Sequence, residues 1–237
     1  GLEFAGEVIE LGEGVLSPAI GERVFGITAG GAQAEEIVVA SAHCAVVPES
    51  LDRVSAGGVP EVFLTAHDAL RTQAQLLSGE LVLVHAVGSG VGTAVVQLAR
   101  AWGCETTGTA RTPEKLERAQ ALGLDNAILA PREIDPLAFS AQITEAAGGP
   151  INVTADLVGG AYVTADVLAS AEGGRVVLIG TLAGGRCELP ILAVMSKRLR
   201  LFGTVLRPRS RDEKSAATAA FVDEVVPLLA SGSVAPV

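Results

Sequence analysis

The sequence predicts an α/β fold in which a doubly wound parallel sheet follows a smaller β-rich part. From about residue 54 onward, apolar β-branched runs alternate with amphipathic helical stretches, which is typical of parallel strands joined by crossover helices. Residues 1–48 instead alternate apolar and polar side chains in the manner of antiparallel strands. One apolar run also ends in a glycine-rich loop that opens directly into a helical pattern.

The N-terminal part is predicted to form a small antiparallel unit. Its candidate strands, separated by Gly and Pro, cover residues 5–11, 22–26 and 34–39. We therefore divide the chain into a β-rich part over residues 1–53, a parallel-sheet domain over residues 54–210, and a segment over residues 211–237 that returns to the first part.

The parallel-sheet domain is predicted to contain strands separated by helices. These strands are expected near residues 81–86, 105–109, 126–129, 152–157 and 174–180. A last helical stretch runs from Lys214 to Leu229, and residues 234–237 have the pattern of a strand that begins there.

The loop after the first of these strands carries Gly88, Gly90 and Gly92 and leads into a helix. Glycine lets the backbone approach a ligand closely, and a helix N-terminus presents unpaired N–H groups and the positive end of its dipole. The loop therefore predicts an anion site, most often for the pyrophosphate of a dinucleotide. An ordinary strand-to-helix turn in another α/β protein would show the same glycines.

The end of the second strand indicates which form of the cofactor is bound. NAD-binding folds usually carry an acidic residue here that binds the adenosine ribose. In this chain the corresponding stretch, residues 109–112, contains no carboxylate, and the first one after it is Glu114. Arg111 and Lys115 supply positive charge there instead, and Thr112 supplies a hydroxyl. Because a guanidinium can bind a 2′-phosphate through two hydrogen bonds, these residues favour NADPH over NADH. Two solvated charges at a helix start would look the same.

Charge and cysteine content argue against several classes of protein. The 237 residues carry a formal net charge of −10, which disfavours nucleic acid and anionic membranes as partners. Cys44, Cys104 and Cys187 are widely spaced and form no metal-binding or disulfide pattern. No apolar run is long enough to span a membrane and no signal peptide is visible, so the expected location is the cytoplasm.

Separated blocks of sequence occur in the order found in one superfamily of oxidoreductases. They are the loop at 86–92 and the segments 58–66, 156–160, 180–185 and 202–210. With these blocks the chain resembles the medium-chain dehydrogenase/reductase superfamily, and within it the zinc-free NADPH:quinone oxidoreductases related to zeta-crystallin. The resemblance implies a Rossmann-type dinucleotide domain inserted into a GroES-like, β-rich catalytic domain. It also implies that this chain holds only part of the catalytic domain and is truncated at both ends.

The resemblance also implies which residues hold NADPH, most of them at the carboxyl ends of strands. The pyrophosphate residues are Ser89, Gly90, Val91 and Gly92, and the 2′-phosphate residues are Arg111, Thr112 and Lys115. The ribose residues are Val158 and Gly159, and those of the nicotinamide pocket are Thr181 and Leu182. The residues that close the cofactor cleft are Leu206 and Arg207, and the residue that approaches the carboxamide from the start of its helix is Thr65. Several of these residues would also occur without a cofactor. A glycine such as Gly159 is common in an ordinary turn after a strand, and Thr65 would serve equally as an ordinary hydroxyl at the start of a helix.

Metal binding is not expected. Zinc-dependent members of the superfamily carry a metal-binding histidine near the position that Leu2 occupies here, and leucine cannot coordinate zinc. No cluster of Cys and His replaces it. The isolated histidines His43, His67 and His85 are interpreted as packed or surface residues.

The resemblance implies zinc-independent hydride transfer from NADPH to a quinone or a similar electrophilic acceptor. The family's polar catalytic residues lie upstream of Gly1, so no catalytic residue is assigned, and turnover by this segment alone is in question. Two other functions stay open: an enoyl-thioester reductase of the same superfamily, and a non-catalytic NADPH-binding protein with a structural or redox-sensing role. Residues 199–202 resemble an edge strand through which relatives form a homodimer, although an internal strand would have the same sequence pattern.

Overall fold

The computed structural model describes all residues from 1 to 237, and the chain divides into two compact units. The β-rich unit consists of Gly1–Asp68 together with Val205–Val237, and the parallel-sheet unit consists of Ala69–Thr204. The predicted boundaries at 53/54 and 210/211 differ from this division. Residues 54–68, which include most of two helices, group with the β-rich unit because those helices pack against its strands.

Strands and helices alternate along most of the chain. In chain order, the strands are β1 Glu3–Glu7, β2 Arg23–Ile27, β3 Cys44–Val46, β4 Leu81–Val84, β5 Glu105–Ala110, β6 Asn126–Leu129, β7 Ile151–Asp156, β8 Ser170–Leu178 and β9 Arg200–Gly203. The helices are α1 Arg53–Gly57, α2 Pro60–His67, α3 Gly90–Ala101, α4 Pro113–Ala121, α5 Pro136–Ala146, α6 Ala161–Ala169, α7 Ile191–Ser196, α8 Arg211–Glu224 and α9 Val226–Ala230. None of these helices has the length and apolar character needed to cross a membrane.

The β-rich unit contains an antiparallel sheet in the order β1-β2-β3. Its first two strands overlap the predicted ones, but the prediction of a strand over residues 34–39 is wrong, because the third strand is β3. No strand runs beside residues 34–39, and Val38 is fully exposed. The apolar side chains of this alternating pattern therefore have no sheet to pack against.

The C-terminal helices complete the core of the β-rich unit. Phe221 on α8 contacts Phe25 on β2 with ring centroids 6.0 Å apart, and both side chains are buried. The predicted single helix over 214–229 is instead two helices, since Pro227 has no N–H with which to continue the hydrogen-bond ladder. The prediction that residues 234–237 begin a strand is also wrong, because no strand forms there.

The parallel-sheet unit contains strands in the order β6-β5-β4-β7-β8-β9, and every neighbouring pair is parallel. This order confirms the predicted doubly wound α/β fold. All the predicted strands of this sheet are present, and β9, which covers most of residues 199–202, forms one edge of the sheet. The central strands β4 and β7 are almost entirely buried; β4 is wholly apolar, and β7 alternates the apolar Ile151, Val153 and Ala155 with polar residues.

Helices cover both faces of this sheet. The chain moves from β4 through α3 to β5 and through α4 to β6, then returns through α5 to β7 and continues through α6 to β8. Because such crossovers are right-handed, the reversal places α3 and α4 on one face and α5 and α6 on the other. On the second face, Phe139, Ile151 and Tyr162 belong to one buried apolar cluster.

The strand order reverses between β4 and β7, which lie side by side at the centre of the sheet. The loops that follow these two strands run to opposite faces and leave a crevice at the carboxyl end of the sheet. In open α/β sheets this crevice is the usual place for a ligand. The candidate site is therefore built from the carboxyl ends of the central strands and their neighbours.

Candidate functional site

The loop between β4 and α3 brings the start of the helix against the end of the strand. Ala86 has a left-handed backbone conformation with a φ of 52°, and its carbonyl oxygen accepts a hydrogen bond from the Ser89 N–H at 2.9 Å. A Cβ on Gly92 would lie 2.6 Å from that same carbonyl oxygen. Gly92 therefore permits the close packing of strand and helix that the sequence predicts, and a side chain would force the two apart.

The first turn of α3 leaves backbone donors free at the mouth of this loop. Ser89 caps the helix, since its hydroxyl oxygen accepts from the Gly92 N–H at 3.1 Å and its carbonyl oxygen accepts from the Thr93 N–H at 2.8 Å. The N–H groups of Gly90 and Val91 have no acceptor within the protein. Together with the positive end of the dipole of this 12-residue helix, they are suited to binding a phosphate group.

Polar residues at the start of α4 lie beside the glycine loop. Arg111 and Thr112 directly follow β5, the strand next to β4, and both are exposed. Thr112 is the N-cap residue of α4, but its hydroxyl makes no capping hydrogen bond. The stem of Lys115 lies against the loop, since a Cβ on Gly88 would be only 2.8 Å from its carbon atoms. The predicted 2′-phosphate residues thus flank the predicted pyrophosphate loop.

The loop between β7 and α6 is held by a carboxylate of its own chain. Asp156 is fully buried, and its side chain accepts hydrogen bonds from the Val158 N–H at 2.7 Å and from the Gly159 N–H at 3.0 Å. Gly159 and Gly160 have φ angles of 70° and 59°, which favour residues without a Cβ. These two backbone donors are therefore already used within the protein.

A third loop, which follows β8, runs beside the second. Gly159 and Gly184 form an isolated parallel bridge between the two loops. The structure thus brings the predicted ribose residues, Val158 and Gly159, into the same region as the predicted nicotinamide residues. The latter two, Thr181 and Leu182, are exposed.

The remaining predicted cofactor residues belong to the β-rich unit. Thr65 is half-buried in the second half of α2, so the prediction that it begins its helix is wrong. In the segment after β9, Leu206 is buried and Arg207 is exposed. The assignment of these three residues to the cofactor stays a prediction that rests on the resemblance.

The sequence interpretation missed a buried ion pair directly behind the glycine loop. His85 and Asp166 are both 0% exposed, and His85 Nε2 lies 2.7 Å from Asp166 Oδ1. On the other side of the ring, Nδ1 lies 2.9 Å from Thr109 Oγ1 on β5. Phe139 and Tyr162 contact the same imidazole, with ring centroids 6.2 and 4.8 Å away. The pair therefore connects the ends of β4 and β5 with α6.

Burial and charge oppose each other in this pair. Burial disfavours protonation of His85, but the charge and hydrogen bond of Asp166 outweigh it and raise the pKa of the imidazole. Burial also raises the pKa of Asp166 to about 6, although the neighbouring imidazole lowers it. One feature of the sequence points to this pair: His85 directly follows the four apolar residues of β4, where a buried polar side chain needs a partner. The sequence interpretation of His85 as a packed or surface residue included no partner, because Asp166 is 81 positions away.

The fold and the glycine loop are those of the dinucleotide-binding class of α/β proteins. Residues 90–223, more than half of the chain, match the family described as zinc-binding dehydrogenase. The chain belongs to this family, and with it to the medium-chain dehydrogenase/reductase superfamily that the sequence resembles.

The family's description names zinc, and the residues of this chain do not fit a zinc site. No group of three or more His, Cys, Asp or Glu side chains among residues 1–237 is arranged to hold a metal ion. Both ring nitrogens of His85 are used in hydrogen bonds, and Nε2 of His43 lies 3.1 Å from the carbonyl oxygen of Arg211. A structural or catalytic zinc needs three or four such ligands around one point.

Two relatives illustrate the range of similar proteins. Polyketide synthase GfsB from Streptomyces halstedii is 40% identical over 181 residues, which are 76% of this chain and 3% of that protein. Quinone oxidoreductase from Sus scrofa is 31% identical over 218 residues, which are 90% of this chain and 64% of that protein. The chain therefore spans a small part of the polyketide synthase and less than two thirds of the quinone oxidoreductase.

Solved structures agree with the fold over the whole chain. The CurK enoyl reductase superposes with a TM-score of 0.84 at 26% identity, covering 100% of this chain and 69% of that chain. A mycobacterial protein solved in complex with NADPH superposes with a TM-score of 0.85 at 26% identity, covering 99% of this chain and 72% of that chain. The predicted superfamily is thus confirmed, while the similar proteins include both enoyl reductases and quinone oxidoreductases.

Proposed function

We propose that this chain is the cofactor-binding part of an NADPH-dependent reductase that acts on an enoyl thioester. The proposal is carried by the 40% identity to a polyketide synthase over 76% of the chain. The overlap of the whole chain with the structure of an enoyl reductase supports it. These similarities favour the enoyl-thioester reaction over the quinone reaction that the sequence resemblance put first.

NADPH fits the residues at the carboxyl end of the parallel sheet. The free N–H groups of Gly90 and Val91 suit its pyrophosphate, since both point out of a helix N-terminus. Arg111, Thr112 and Lys115 supply two positive charges and a hydroxyl for its 2′-phosphate. A bound NADPH would supply the hydride for the reaction. The similarity to a structure that holds NADPH supports the same cofactor.

The residues of this chain bind and orient rather than donate protons. Tyr162 is the only tyrosine, and its ring packs edge-on against His85 and Phe139 with 9% of the residue exposed. Burial raises the pKa of its hydroxyl, although the positive charge of Arg111 opposes the rise. We therefore assign Tyr162 to the core and name no catalytic acid. The contribution that we propose for this chain is to bind NADPH and hold it in position for the reaction.

The second candidate is reduction of a quinone. It is favoured by the 31% identity to a quinone oxidoreductase over 90% of the chain, a longer match than that to the polyketide synthase. Residues 207–210 also carry the Arg-Pro-Arg-Ser sequence on which the resemblance to quinone reductases partly rests. A homodimer stays a further proposal, supported by the position of β9 at an open edge of the sheet.

The acceptor test uses the full-length gene product and follows the loss of NADPH absorbance. We expect a crotonyl thioester to be reduced with a kcat/KM at least about tenfold above that for an ortho-quinone, a difference of about 1.4 kcal/mol in transition-state stabilisation. The control is NADH in place of NADPH, with which we expect slower turnover of the same thioester.

The other outcomes choose between the remaining functions. Reduction of the ortho-quinone alone would replace the enoyl-thioester proposal with the quinone reaction. Tight NADPH binding without reduction of either acceptor would favour the non-catalytic protein, whose role is structural or redox-sensing.

A further inference from the structure

We propose that the buried group formed by Asp166, His85 and Thr109 positions Arg111 for the 2′-phosphate and so contributes to the preference for NADPH over NADH. This inference rests on the proposed function, because it takes NADPH as the cofactor. The three residues Asp166, His85 and Thr109 are called the His85 bridge from here on. They are positioning residues, since none of them is exposed to the crevice.

The His85 bridge joins three segments that border the candidate site. His85 directly follows β4 and precedes Ala86, the first residue of the glycine loop. Its Nδ1 lies 2.9 Å from Thr109 Oγ1 on β5, and its Nε2 lies 2.7 Å from Asp166 Oδ1 on α6. Because both ring nitrogens are engaged, the imidazole cannot turn without breaking one of these contacts.

Thr109 connects the bridge to Arg111. Its hydroxyl contacts His85, and its carbonyl oxygen accepts a hydrogen bond from the Val87 N–H of the glycine loop at 3.0 Å. Arg111 follows after one residue, Ala110, which ends β5. Arg111 itself is exposed and makes no hydrogen bond or ion pair within residues 1–237. The placement of its guanidinium therefore depends on how the end of β5 is held.

The charges of the bridge are costly for a group that serves only packing. A buried ion pair loses hydration, and apolar residues of similar volume often stabilise a core as well or better. Asp166 Oδ2 is buried without a hydrogen-bond partner, so part of this loss is not recovered. Hydrogen bonds are directional, so one on each side of the imidazole fixes the orientation of His85 and of its partners more closely than apolar packing would. This combination favours a positioning role beside the loop.

The test measures dissociation constants of NADPH and NADH by fluorescence titration of the full-length protein. Thr109→Val keeps the shape of the side chain and removes its hydroxyl, while Thr109→Ser keeps the hydroxyl and is the matched control. Asp166→Asn removes the charge on the other side of the ring. Arg111→Ala is the reference for loss of the 2′-phosphate contact.

We expect the ratio of NADPH to NADH affinity to fall at least about fivefold in Thr109→Val and in Asp166→Asn, and about tenfold in Arg111→Ala. In Thr109→Ser the ratio stays within about twofold of the wild type, because His85 keeps its partner. NADH affinity changes little in all four variants, since NADH has no 2′-phosphate for Arg111 to bind. A purely structural role would lower the melting temperature without moving this ratio.

The outcomes separate this inference from the proposed function. If the wild type prefers NADPH and Arg111→Ala removes the preference, but Thr109→Val keeps it, the positioning role is overturned. Equal affinities of the wild type for both cofactors would instead overturn the assignment of NADPH itself. If Asp166→Asn does not fold, the pair of Thr109 variants decides the question alone.

Discussion

The loops after β4 and β7 both connect a central strand to a helix, but they differ in whether their backbone donors are already hydrogen-bonded within the protein. Both follow central strands of the parallel sheet, and each leads into a helix. After β4, the N–H groups of Gly90 and Val91 have no acceptor within the protein. After β7, the N–H groups of Val158 and Gly159 donate to the buried carboxylate of Asp156.

This difference shows what decides whether such a loop can bind an external anion. Glycines give both loops their tight turns, so the glycines alone do not distinguish them. In the second loop, the carboxylate of Asp156 already accepts from the N–H groups of Val158 and Gly159, so these two donors are not available to an external anion. Of these two loops, the one after β4 therefore has the backbone donors that a cofactor phosphate can use.

The largest effect is expected from Gly92→Val, which breaks the loop after β4. A Cβ at this position would lie 2.6 Å from the carbonyl oxygen of Ala86 and 2.8 Å from Cα of Val87, and backbone atoms cannot rotate away. Because the helix must then move off the strand, its free donors no longer meet the pyrophosphate. We expect NADPH affinity to fall at least about a hundredfold, roughly 2.7 kcal/mol, in a fluorescence titration.

Gly149→Ala is a control that adds a Cβ to a glycine of the same unit where the structure has room for it. The nearest atom to a Cβ on Gly149 is Cδ1 of Leu81 at 3.6 Å, which is an ordinary van der Waals distance. This variant should therefore bind NADPH within about twofold of the wild type. A folded Gly92→Val protein with NADPH affinity close to that of the wild type would show that this helix end does not hold the anion.

Asp156→Ala, which changes the loop after β7, is expected to lower the free energy of unfolding rather than the affinity for the cofactor. It leaves the donors of Val158 and Gly159 without the carboxylate that they bind at 2.7 and 3.0 Å. Each unsatisfied buried group costs about 1–3 kcal/mol, so the free energy of unfolding of the parallel-sheet unit should fall by about 3 kcal/mol. Urea unfolding followed by the fluorescence of Trp102, the only tryptophan, measures this loss.

Two comparisons sharpen the result for Asp156. Asp156→Asn keeps an acceptor oxygen in a side chain of nearly the same size. Its loss in free energy of unfolding should therefore be about half of the loss in Asp156→Ala. Added formate should raise the melting temperature of Asp156→Ala more than that of the wild type, because it can occupy the space of the missing carboxylate. The same formate response in both proteins would contradict the idea that the loop after β7 is filled by an internal anion.

Local patterns in the sequence were sufficient to predict the parallel sheet and the first loop. The apolar run that ends in the glycines of residues 88–92 carries strand, turn and helix start within one short segment. The strand predicted over residues 34–39 failed because a strand needs a partner, and the partner of β2 on that side is β3.

Contacts between distant positions were beyond the sequence. His85 and Asp166 are 81 positions apart, and neither residue has a local pattern that identifies the other. The block at 156–160 was recognised as part of the resemblance, but the use of the Asp156 carboxylate within its own loop depends on the backbone conformation of that turn. Single side chains that act across the fold therefore required the structure.

The smallest effect is expected from Ser89→Ala, which removes one cap from the loop after β4. The hydroxyl oxygen of Ser89 accepts the Gly92 N–H at 3.1 Å, so its loss should cost about 1 kcal/mol of stability, as for other N-caps. It should also weaken NADPH binding by about threefold, because the first turn of α3 is then held less firmly around the free donors of Gly90 and Val91.

Asp135→Ala provides the comparison that isolates the loop. Asp135 caps α5 by accepting from the Ala138 N–H at 2.8 Å, and it is not among the residues predicted to hold NADPH. Its loss should lower the free energy of unfolding by about the same amount as Ser89→Ala while leaving NADPH affinity unchanged. If Ser89→Ala and Asp135→Ala reduce NADPH affinity equally, the effect of Ser89→Ala reflects general stability. If only Ser89→Ala reduces it, the cap serves the phosphate site as well as the helix.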